Sequence, residues 1–361
     1  MIAIPYRIVS ILAVCLLGSV IVSVADGRQG TVMAQRVHTL TPGQAEILGH
    51  MSVVFLDDGQ GGTVKTLRIE GLNVQIVNGT GTTDGAPDGL GNLIVGYNEL
   101  HPVEDDNRTG SHNIIGGARN SFSSYGGFVV GDTNSISGLW ASISGGRKNV
   151  ASGSYSSVGG GVENTATSSY SGVSGGELNT ASGISSSVSG GRLNIAVGPY
   201  SSVTGGGSNT ASGSQSSVSG GQDNMAVGGF SSVTGGTDNT AGAHRSSVTG
   251  GQNNTASGVY SSVSGGRDNS ASYSLSSVSG GFNNTASAIY SSVSGGRNNT
   301  ASGSQSSVSG GRNNMASGSY ASIAGGRGNT ASGNHSSVSG GHNRSALYGY
   351  NWRGGAYSSN N

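Results

Sequence analysis

A strict spacing of 15 residues constrains the fold of this chain more than any other feature. A valine or isoleucine recurs at this interval from Ile143 to Val338 without an insertion or a deletion. An asparagine lies six residues after each member of the series up to Asn329. The unit reads Ser-Ser-Val-Ser-Gly-Gly-x-x-Asn-Thr-Ala-Ser-Gly-x-x. A long series of this kind indicates a repeat architecture.

The composition fits an ordered repeat and excludes two other classes of protein. Gly and Ser together make up more than a third of the 361 residues, with 68 Gly. Such a share is typical of disorder when it has no period, but the strict phase of this repeat excludes a disordered linker. Charged residues are only 9% of the chain and aromatic residues 6%. We therefore exclude an ordinary α/β enzyme and a long coiled coil.

The repeat predicts an all-β fold, a parallel β-solenoid with 15-residue coils. Such a unit is too short for the two helices of a helical repeat, but it accommodates two short strands and two tight turns. With the period of a strand, Val and Ala point inward while Ser and Thr face outward. The glycines supply turn conformations, and we expect the asparagines to form ladders that satisfy the turns. About 15 coils at ~4.8 Å each would give a rod roughly 70 Å long.

The chain divides into four predicted segments, namely a signal peptide (1–25), a β-rich region with a short helix (26–90), the solenoid (91–345, with degenerate coils over 91–140 and regular coils over 141–345) and an aromatic tail or cap (346–361). In the second segment, Thr41-Pro42 is predicted to start a helix that runs to Gly49. Strand-like runs follow over residues 52–56, 63–69 and 73–77.

A hydrophobic run near the N-terminus predicts export. The run over residues 8–24 follows Arg7, and Ser23-Val24-Ala25 fits a cleavage site after Ala25. Two alternatives stay open: the run is kept as an uncleaved anchor, or Cys15, the single cysteine, is lipidated. No second apolar stretch of about 18 residues follows, so we expect no membrane span in the mature chain.

Variable positions of the repeat form columns when the coils stack. Three residues before the valine lies an aromatic column with Tyr125, Trp140, Tyr155, Tyr170, Tyr200, Phe230, Tyr260, Tyr290 and Tyr320. It predicts a stacking surface for sugars or a partner protein, or else plain packing between coils. Four residues after the valine lies an arginine column with Arg147, Arg192, Arg267, Arg297, Arg312 and Arg327. These arginines either bind a polyanion or are only solvated.

No constellation of catalytic or ligating residues is visible in the sequence. The seven histidines lack the spacing of metal ligands. The carboxylates of Asp57-Asp58 and Glu104-Asp105-Asp106 lie beside turn residues and are interpreted as solvated, with cation binding as the alternative. We therefore expect no enzymatic activity, no cofactor and no metal. The formal net charge is +0, and nucleic acid is not an expected partner.

The unit resembles the head repeat of YadA-like trimeric autotransporter adhesins, whose Ser-Val-Ala-x-Gly…Ala-x-Gly units form a left-handed parallel β-roll. The stretches over residues 89–98, 108–113 and 123–127 also resemble exported bacterial proteins of unknown role that carry such repeats. The resemblance covers roughly residues 40–345 and implies a left-handed, trimeric rod with an adhesive or structural role. The coil here is about one residue longer than is usual in that family, and no heptad stalk is visible.

Together these features predict an exported, non-enzymatic structural or adhesive protein of the cell surface or the extracellular space. Each coil offers only one Val and one Ala to its interior, so we expect self-association, as a homotrimer by the resemblance. A surface glycan or a host or matrix protein is the expected partner. The alternative is a ligand-binding solenoid that recognises glycans through the aromatic column or ice through its Ser and Thr columns.

Overall fold

The computed structural model of the protein describes residues 14–16, 19–21, 40–101 and 106–354. These residues belong to two compact units that divide after Gln75. The predicted cleavage site at residues 23–25 and the acidic pair Glu104-Asp105 lie outside the described residues.

The described part of the first unit contains one helix, α1, which spans Pro42–Gly49 as the sequence predicts. Thr41 caps this helix, because its Oγ1 accepts a hydrogen bond from the N–H of Gln44 at 3.3 Å. In return, Gln44 Oε1 accepts the N–H of Thr41 at 2.9 Å. This reciprocal pair is a capping box, and proline at the first helical position adds a preset φ.

Among the described residues of the first unit, the strands pair as two antiparallel hairpins. Met51–Asp57 pairs with Thr63–Ile69, and the short strand Val14–Leu16 pairs with Ser19–Ile21. The first pair confirms two of the three predicted strands. The third prediction, over residues 73–77, is wrong: that segment forms no strand, because alternation of apolar residues does not by itself supply a neighbouring strand to pair with.

The second unit is a parallel β-solenoid, which confirms the predicted fold class. Each coil contributes one strand to each of two ladders, except the first and the last coil, which have a strand only in the valine ladder. The valine ladder contains Leu93–Val95, Ile114–Ala118, Phe128–Asp132, Ser142–Ile143, Ser157–Val158, Gly172–Val173, Ser187–Val188, Ser202–Val203, Ser217–Val218, Ser232–Val233, Ser247–Val248, Ser262–Val263, Ser277–Val278, Ser292–Val293, Ser307–Val308, Ser322–Ile323, Ser337–Val338 and Trp352–Arg353.

The alanine ladder is 16-stranded and is formed by the second strand of each coil. It contains Ser121–Phe122, Ser135–Ile136, Val150–Ala151, Thr165–Ala166, Thr180–Ala181, Ile195–Ala196, Thr210–Ala211, Met225–Ala226, Thr240–Ala241, Thr255–Ala256, Ser270–Ala271, Thr285–Ala286, Thr300–Ala301, Met315–Ala316, Thr330–Ala331 and Ser345–Ala346.

The register places equivalent residues of successive coils side by side. Val218 pairs with Val233 in the valine ladder, and Ala226 pairs with Ala241 in the alanine ladder. The residue of the arginine column forms a third, single-residue bridge from coil to coil, as between Arg312 and Arg327. Every position of the repeat therefore becomes a straight column along the solenoid.

The first coils differ in length from the regular ones. Ile115 pairs with Val129, and Phe128 pairs with Ser142, so two steps near the start measure 14 residues. The step before them is longer, since Ile94 pairs with Ile115. The alignment of strands survives these changes because the extra or missing residues fall between strands.

The interior of a regular coil is narrow and half polar. In the coil over residues 216–230, Val218 and Ala226 are 1% and 0% exposed. Ser216 and Asn224 share this interior at 1% and 0% exposure. A buried amide is costly unless it is hydrogen-bonded, so the asparagine column must find its partners inside the stack.

The predicted asparagine ladder is confirmed, and it satisfies the buried amide in full. Asn224 Oδ1 accepts the N–H of Asn239 in the next coil at 3.0 Å. Asn224 Nδ2 donates to the carbonyls of Gly220 and Gly236 at 3.0 and 2.9 Å. The same pattern repeats along the column, which ends where Asn329 Oδ1 accepts the N–H of Arg344 at 2.9 Å. Each asparagine thus links its own coil to both neighbours.

The two glycines of the Gly-Gly turn have different roles. Gly221 has a φ of +86°, and a Cβ at this position would overlap the carbonyl oxygen of Gly236 in the next coil. Only glycine adopts this left-handed conformation without strain. A Cβ on the preceding Gly220 would meet no atom within 4 Å. The second glycine is therefore required by the stacking of coils, and the first is not.

Candidate functional site: side-chain columns on the solenoid surface

The two variable columns lie at opposite corners of the coil. In the coil over residues 216–230, the Gly-Gly turn and Gln222 of the arginine column connect the valine strand to the alanine strand. Phe230 of the aromatic column lies in the turn after the alanine strand, which leads into the next coil. The solenoid therefore presents an aromatic column along one edge and the arginine column along the other.

The aromatic column holds large side chains in an uncommon backbone conformation. From Trp140 onward its members are left-handed, with φ of 58° at Tyr155, 57° at Tyr200 and 55° at Tyr290. The prediction that Tyr125 belongs to the column is wrong: the step from Val129 to Ile143 measures 14 residues, so Gly126, with a φ of 69°, holds the position equivalent to Trp140. For a residue with a Cβ this conformation costs about 1–2 kcal/mol.

Asparagine and aspartate tolerate the left-handed conformation best, and from Asp223 onward they fill the other left-handed position of the coil at every step except Gly328. In earlier coils that position is held by other residues, such as Leu178 and Leu193. Backbone preference thus explains the second position in the later coils but does not explain tyrosine in the aromatic column.

Some members of the aromatic column stack on one another between adjacent coils. The rings of Tyr155 and Tyr170 are 5.1 Å apart and nearly parallel. His335 lies between Tyr320 and Tyr350, with ring centroids 4.6 and 4.9 Å apart and planes within 3°. Offset stacking at these distances stabilises each pair by about 0.5–1.5 kcal/mol. Packing between coils therefore accounts for these rings.

Two residues extend the column in a way that sequence reasoning missed. Arg245 occupies the aromatic position between Phe230 and Tyr260, with its guanidinium carbon 5.5 and 5.4 Å from the two ring centroids. Arg245 Nη1 also donates to the Tyr260 hydroxyl at 2.8 Å. His335 lies 15 residues after Tyr320 and therefore fills the same position of the repeat. The spacing itself was the signal that both residues belong to the column.

Other members of the aromatic column have no ring neighbour and stay open to solvent. Tyr200 is flanked in the column by Ser185 and Gln215, and it is 61% exposed. Tyr290 is flanked by Leu275 and Gln305 and is 53% exposed. For these tyrosines, no stacking between rings of adjacent coils offsets the free-energy cost of the left-handed backbone. Their faces are available to a ligand or to a partner.

The arginine column changes character along the solenoid. In its first half, three of the basic residues near this edge have acidic partners: Arg119 with Asp132 at 2.8 Å, Lys148 with Glu163 at 3.2 Å and Arg192 with Glu177 at 3.5 Å. Arg147 forms no ion pair with a described residue. Further along, Arg267 pairs with Asp268 at 3.2 Å. Among the described residues, no ion pair is formed by Arg297, Arg312 or Arg327.

The outer faces of the two ladders are lined by small hydroxyl side chains with interruptions. On the valine face, Gly159 and Gly172 replace serines and leave a shallow depression of about 350 Å³. On the alanine face, Ile195, Met225 and Met315 interrupt the threonine column. Neither face is therefore a continuous hydroxyl array.

Carboxylates of the turns are engaged by the backbone around them. Asp58 Oδ1 accepts the N–H groups of Gln60 and Gly62, both at 2.8 Å, and these bonds hold the pKa of Asp58 below its usual value. The Ser111 hydroxyl donates to Asp88 Oδ1 at 2.8 Å and lowers the pKa of Asp88 in the same way. Both carboxylates stabilise turns by these bonds.

Two other features, a cluster of metal-ligating side chains and a membrane-spanning helix, are absent from the described part of the chain. Among residues 40–101 and 106–354, no three His, Cys, Asp or Glu side chains come together as a metal site would require. No helix described by the structure has the length and hydropathy needed to cross a membrane.

No protein-family model matches the chain, and no curated protein matches it significantly.

Proposed function

We propose that this protein is an exported, non-enzymatic structural and adhesive element of the cell surface or the extracellular matrix. The solenoid fold is compatible with a structural role, because in-register stacking makes a stiff support from short, simple coils. The resemblance to YadA-like heads supports the adhesive part of the proposal. The same resemblance supports two further parts, that the coils are left-handed and that the protein is bacterial. The hydrophobic run over residues 8–24 supports export.

The observation that carries the adhesive function is the exposed part of the aromatic column. Tyr200 and Tyr290 keep a left-handed backbone, make no ring contact and expose more than half of their surface. Exposed tyrosines combine a flat apolar face with a hydroxyl group, and they are typical of binding surfaces. Arranged along one edge, such rings would contact an extended partner at several points at once. Multivalent binding of this kind gives a higher overall affinity than any single contact.

A glycan is the second candidate, and the same column favours it. Sugar rings stack on exposed aromatic faces, and a linear glycan would lie along the edge of the solenoid. The ice-binding alternative has weaker support, because Ile195, Met225 and Met315 interrupt the threonine column on which a regular water array would depend. Thermal hysteresis measured on the purified protein tests the ice-binding alternative separately.

The adhesive proposal is tested with a variant of the aromatic column and a matched control. Tyr170 is included because Ser185 follows it in the column, which leaves the ring face away from Tyr155 open, and it is 62% exposed. Gln already occupies this position at Gln215 and Gln305, so the triple variant Tyr170→Gln/Tyr200→Gln/Tyr290→Gln should fold, with the loss of one stacking contact between Tyr155 and Tyr170. On arrays of glycans and matrix proteins, we expect it to lose affinity by at least about tenfold, since each stacking contact contributes about 0.5–1.5 kcal/mol.

The control removes three exposed tyrosines that lie outside the column, as Tyr97→Gln/Tyr273→Gln/Tyr348→Gln. These residues are 94%, 54% and 77% exposed, so the control matches the loss of aromatic surface. It should bind like the unmodified protein. Equal losses of affinity in the two triple variants would exclude the aromatic column as the binding surface. An unmodified protein that binds neither array would refute adhesion.

We also propose that the chain self-associates, as a homotrimer by its resemblance to YadA-like heads. Support comes from the hairpin of the first unit, where Met51, Val53 and Phe55 share one exposed face with Leu67 and Ile69. A two-stranded hairpin is marginally stable alone, and an apolar face on it is a candidate for contact with other copies.

Export and assembly are tested together on the protein recovered from the culture medium. N-terminal sequencing should begin at Asp26, since the predicted cleavage follows Ala25. Light scattering coupled to size-exclusion chromatography should give three times the mass of one chain. A monomer at micromolar concentration would refute self-association, and protein found only inside the cells would refute export.

A further inference from the structure

The arginine column carries an excess of positive charge over its last third that nothing nearby neutralises. Arg297, Arg312 and Arg327 occupy this position in consecutive coils, and their backbones form bridges in register. All three are exposed. The chain contains no Asp or Glu after Asp268. Like charges set side by side in a ladder repel one another, so this stretch gains stability from a negatively charged partner.

One aromatic ring lies at the start of the basic stretch and contacts two of its arginines. Phe282 takes the place of an arginine in the column, and the guanidinium carbons of Arg267 and Arg297 lie 5.3 and 5.4 Å from its ring centroid. Both contacts are cation–π interactions. They help to fix the orientation of two guanidinium groups along the edge, and they cover both faces of the ring.

Further hydrogen-bond donors lie next to the arginines. The N–H groups of Gly310 and Gly311, which directly precede Arg312, donate no hydrogen bond to another backbone or side-chain group of the described chain. In the neighbouring column, Asn298 Nδ2 donates to Asn313 Oδ1 at 3.1 Å. The side-chain amides of this column add further polar groups along the same edge. From Arg297 to Arg327 the surface is therefore rich in donors and carries no acidic side chain, and Asp268, at its start, is already paired with Arg267.

The spacing of this surface fits a linear, repeating anion. Successive coils are ~4.8 Å apart, so the three guanidinium groups form a straight row that an extended polymer can follow. Carboxylate and sulfate groups accept paired hydrogen bonds from guanidinium groups. A single-stranded nucleic acid fits less well, because its binding depends on free aromatic faces for base stacking, and both faces of Phe282 are already covered.

We infer that the edge formed by Arg297, Arg312 and Arg327, with Arg267 and Phe282 at its start, binds an acidic polysaccharide along the solenoid axis. This site is separate from the aromatic column at the opposite corner. It would fix the solenoid to a matrix of charged polysaccharide through several weak, salt-sensitive contacts. Its success or failure is independent of the adhesive function proposed for the tyrosines.

The test measures binding of the full chain to heparin and to polygalacturonate, with neutral dextran and single-stranded oligothymidylate as comparison ligands. The variant is Arg297→Gln/Arg312→Gln/Arg327→Gln, which should fold because Gln222 and Gln252 already occupy the same position. We expect it to lose at least about tenfold in affinity for both acidic polysaccharides. The slope of log K against log salt should fall by about one for each arginine removed.

The matched control is Arg147→Gln/Lys148→Gln/Arg192→Gln, which removes the same charge from the same edge where Lys148 and Arg192 are ion-paired. Its affinity should stay within about twofold of the unmodified protein. Equal losses in the two triples would overturn the assignment to the last third of the column. Tighter binding of oligothymidylate, binding of dextran alone, or self-association that depends on the three arginines would each overturn an acidic polysaccharide as the ligand.

Discussion

Replacing Asn224 with alanine is expected to lower the free energy of unfolding by about 2–4 kcal/mol. The variant loses both bonds from Asn224 Nδ2 to glycine carbonyls. It also leaves the buried N–H of Asn239 without its acceptor, which had been Asn224 Oδ1 at 3.0 Å. An unsatisfied buried donor costs more than the bond itself contributed. Chemical denaturation measures the loss, and hydrogen exchange at the Asn239 amide locates it.

The matched control for this change is Gln222→Ala, which removes an exposed amide two residues away in the same coil. Gln222 is joined to the neighbouring coils by backbone bridges, which do not depend on its side chain. Its truncation should therefore change the free energy of unfolding by less than about 0.5 kcal/mol. If the two variants proved equally stable, the asparagine ladder would not be the link that joins the coils.

Replacing Gly221 with alanine is expected to be as damaging, for a steric reason. The new Cβ would overlap the carbonyl oxygen of Gly236, and the φ of +86° would be strained for alanine. The left-handed conformation alone costs about 1–2 kcal/mol, and relief of the overlap requires two coils to move apart. We expect a total loss of about 2–4 kcal/mol by chemical denaturation.

The adjacent glycine supplies the control for this prediction. Gly220 lies outside the left-handed region, and a Cβ there meets nothing within 4 Å. Gly220→Ala should therefore leave stability unchanged within about 0.5 kcal/mol or raise it slightly, because alanine restricts the unfolded chain. Similar losses at both glycines would show that the turn, and not the close approach of coils, limits the substitution.

The central features of the solenoid were predictable because the same residue pattern recurs in successive coils. A valine and an alanine at fixed positions, separated from the turns by alternating hydroxyl residues, indicate two inward-facing strands. The role of the asparagine also followed, since a polar residue at a constant place in a stacked repeat needs partners in the neighbouring coils. Helix α1 was predictable from Thr41 and Pro42, which are local signals.

The features that could not be predicted depend on backbone geometry and on neighbours in the stack. Nothing in the sequence around Tyr200 indicates a left-handed φ, because that conformation is imposed by the turn and not by the residue. The cation–π contacts of Arg245 and of Phe282 arise only when residues from three coils meet. The third strand over residues 73–77 was predicted from alternation alone, and alternation gives no information about pairing partners.

The central claim is that each 15-residue coil adds one layer along a single axis and so aligns every position into a column. Distances between spin labels at equivalent positions test it directly. Ser174, Ser264 and Ser309 are exposed and occupy the same position, six coils apart for the first two and nine for the outer pair. They can be replaced pairwise by cysteine in a Cys15→Ser background.

Pulsed electron paramagnetic resonance on labelled chains diluted with unlabelled protein should give separations of ~29 Å for Ser174→Cys/Ser264→Cys and ~43 Å for Ser174→Cys/Ser309→Cys. Both distributions should be narrow, with means in the ratio of two to three. Broad distributions, or distances that do not grow in proportion to the number of coils, would contradict the stacked solenoid and the surface columns that depend on it.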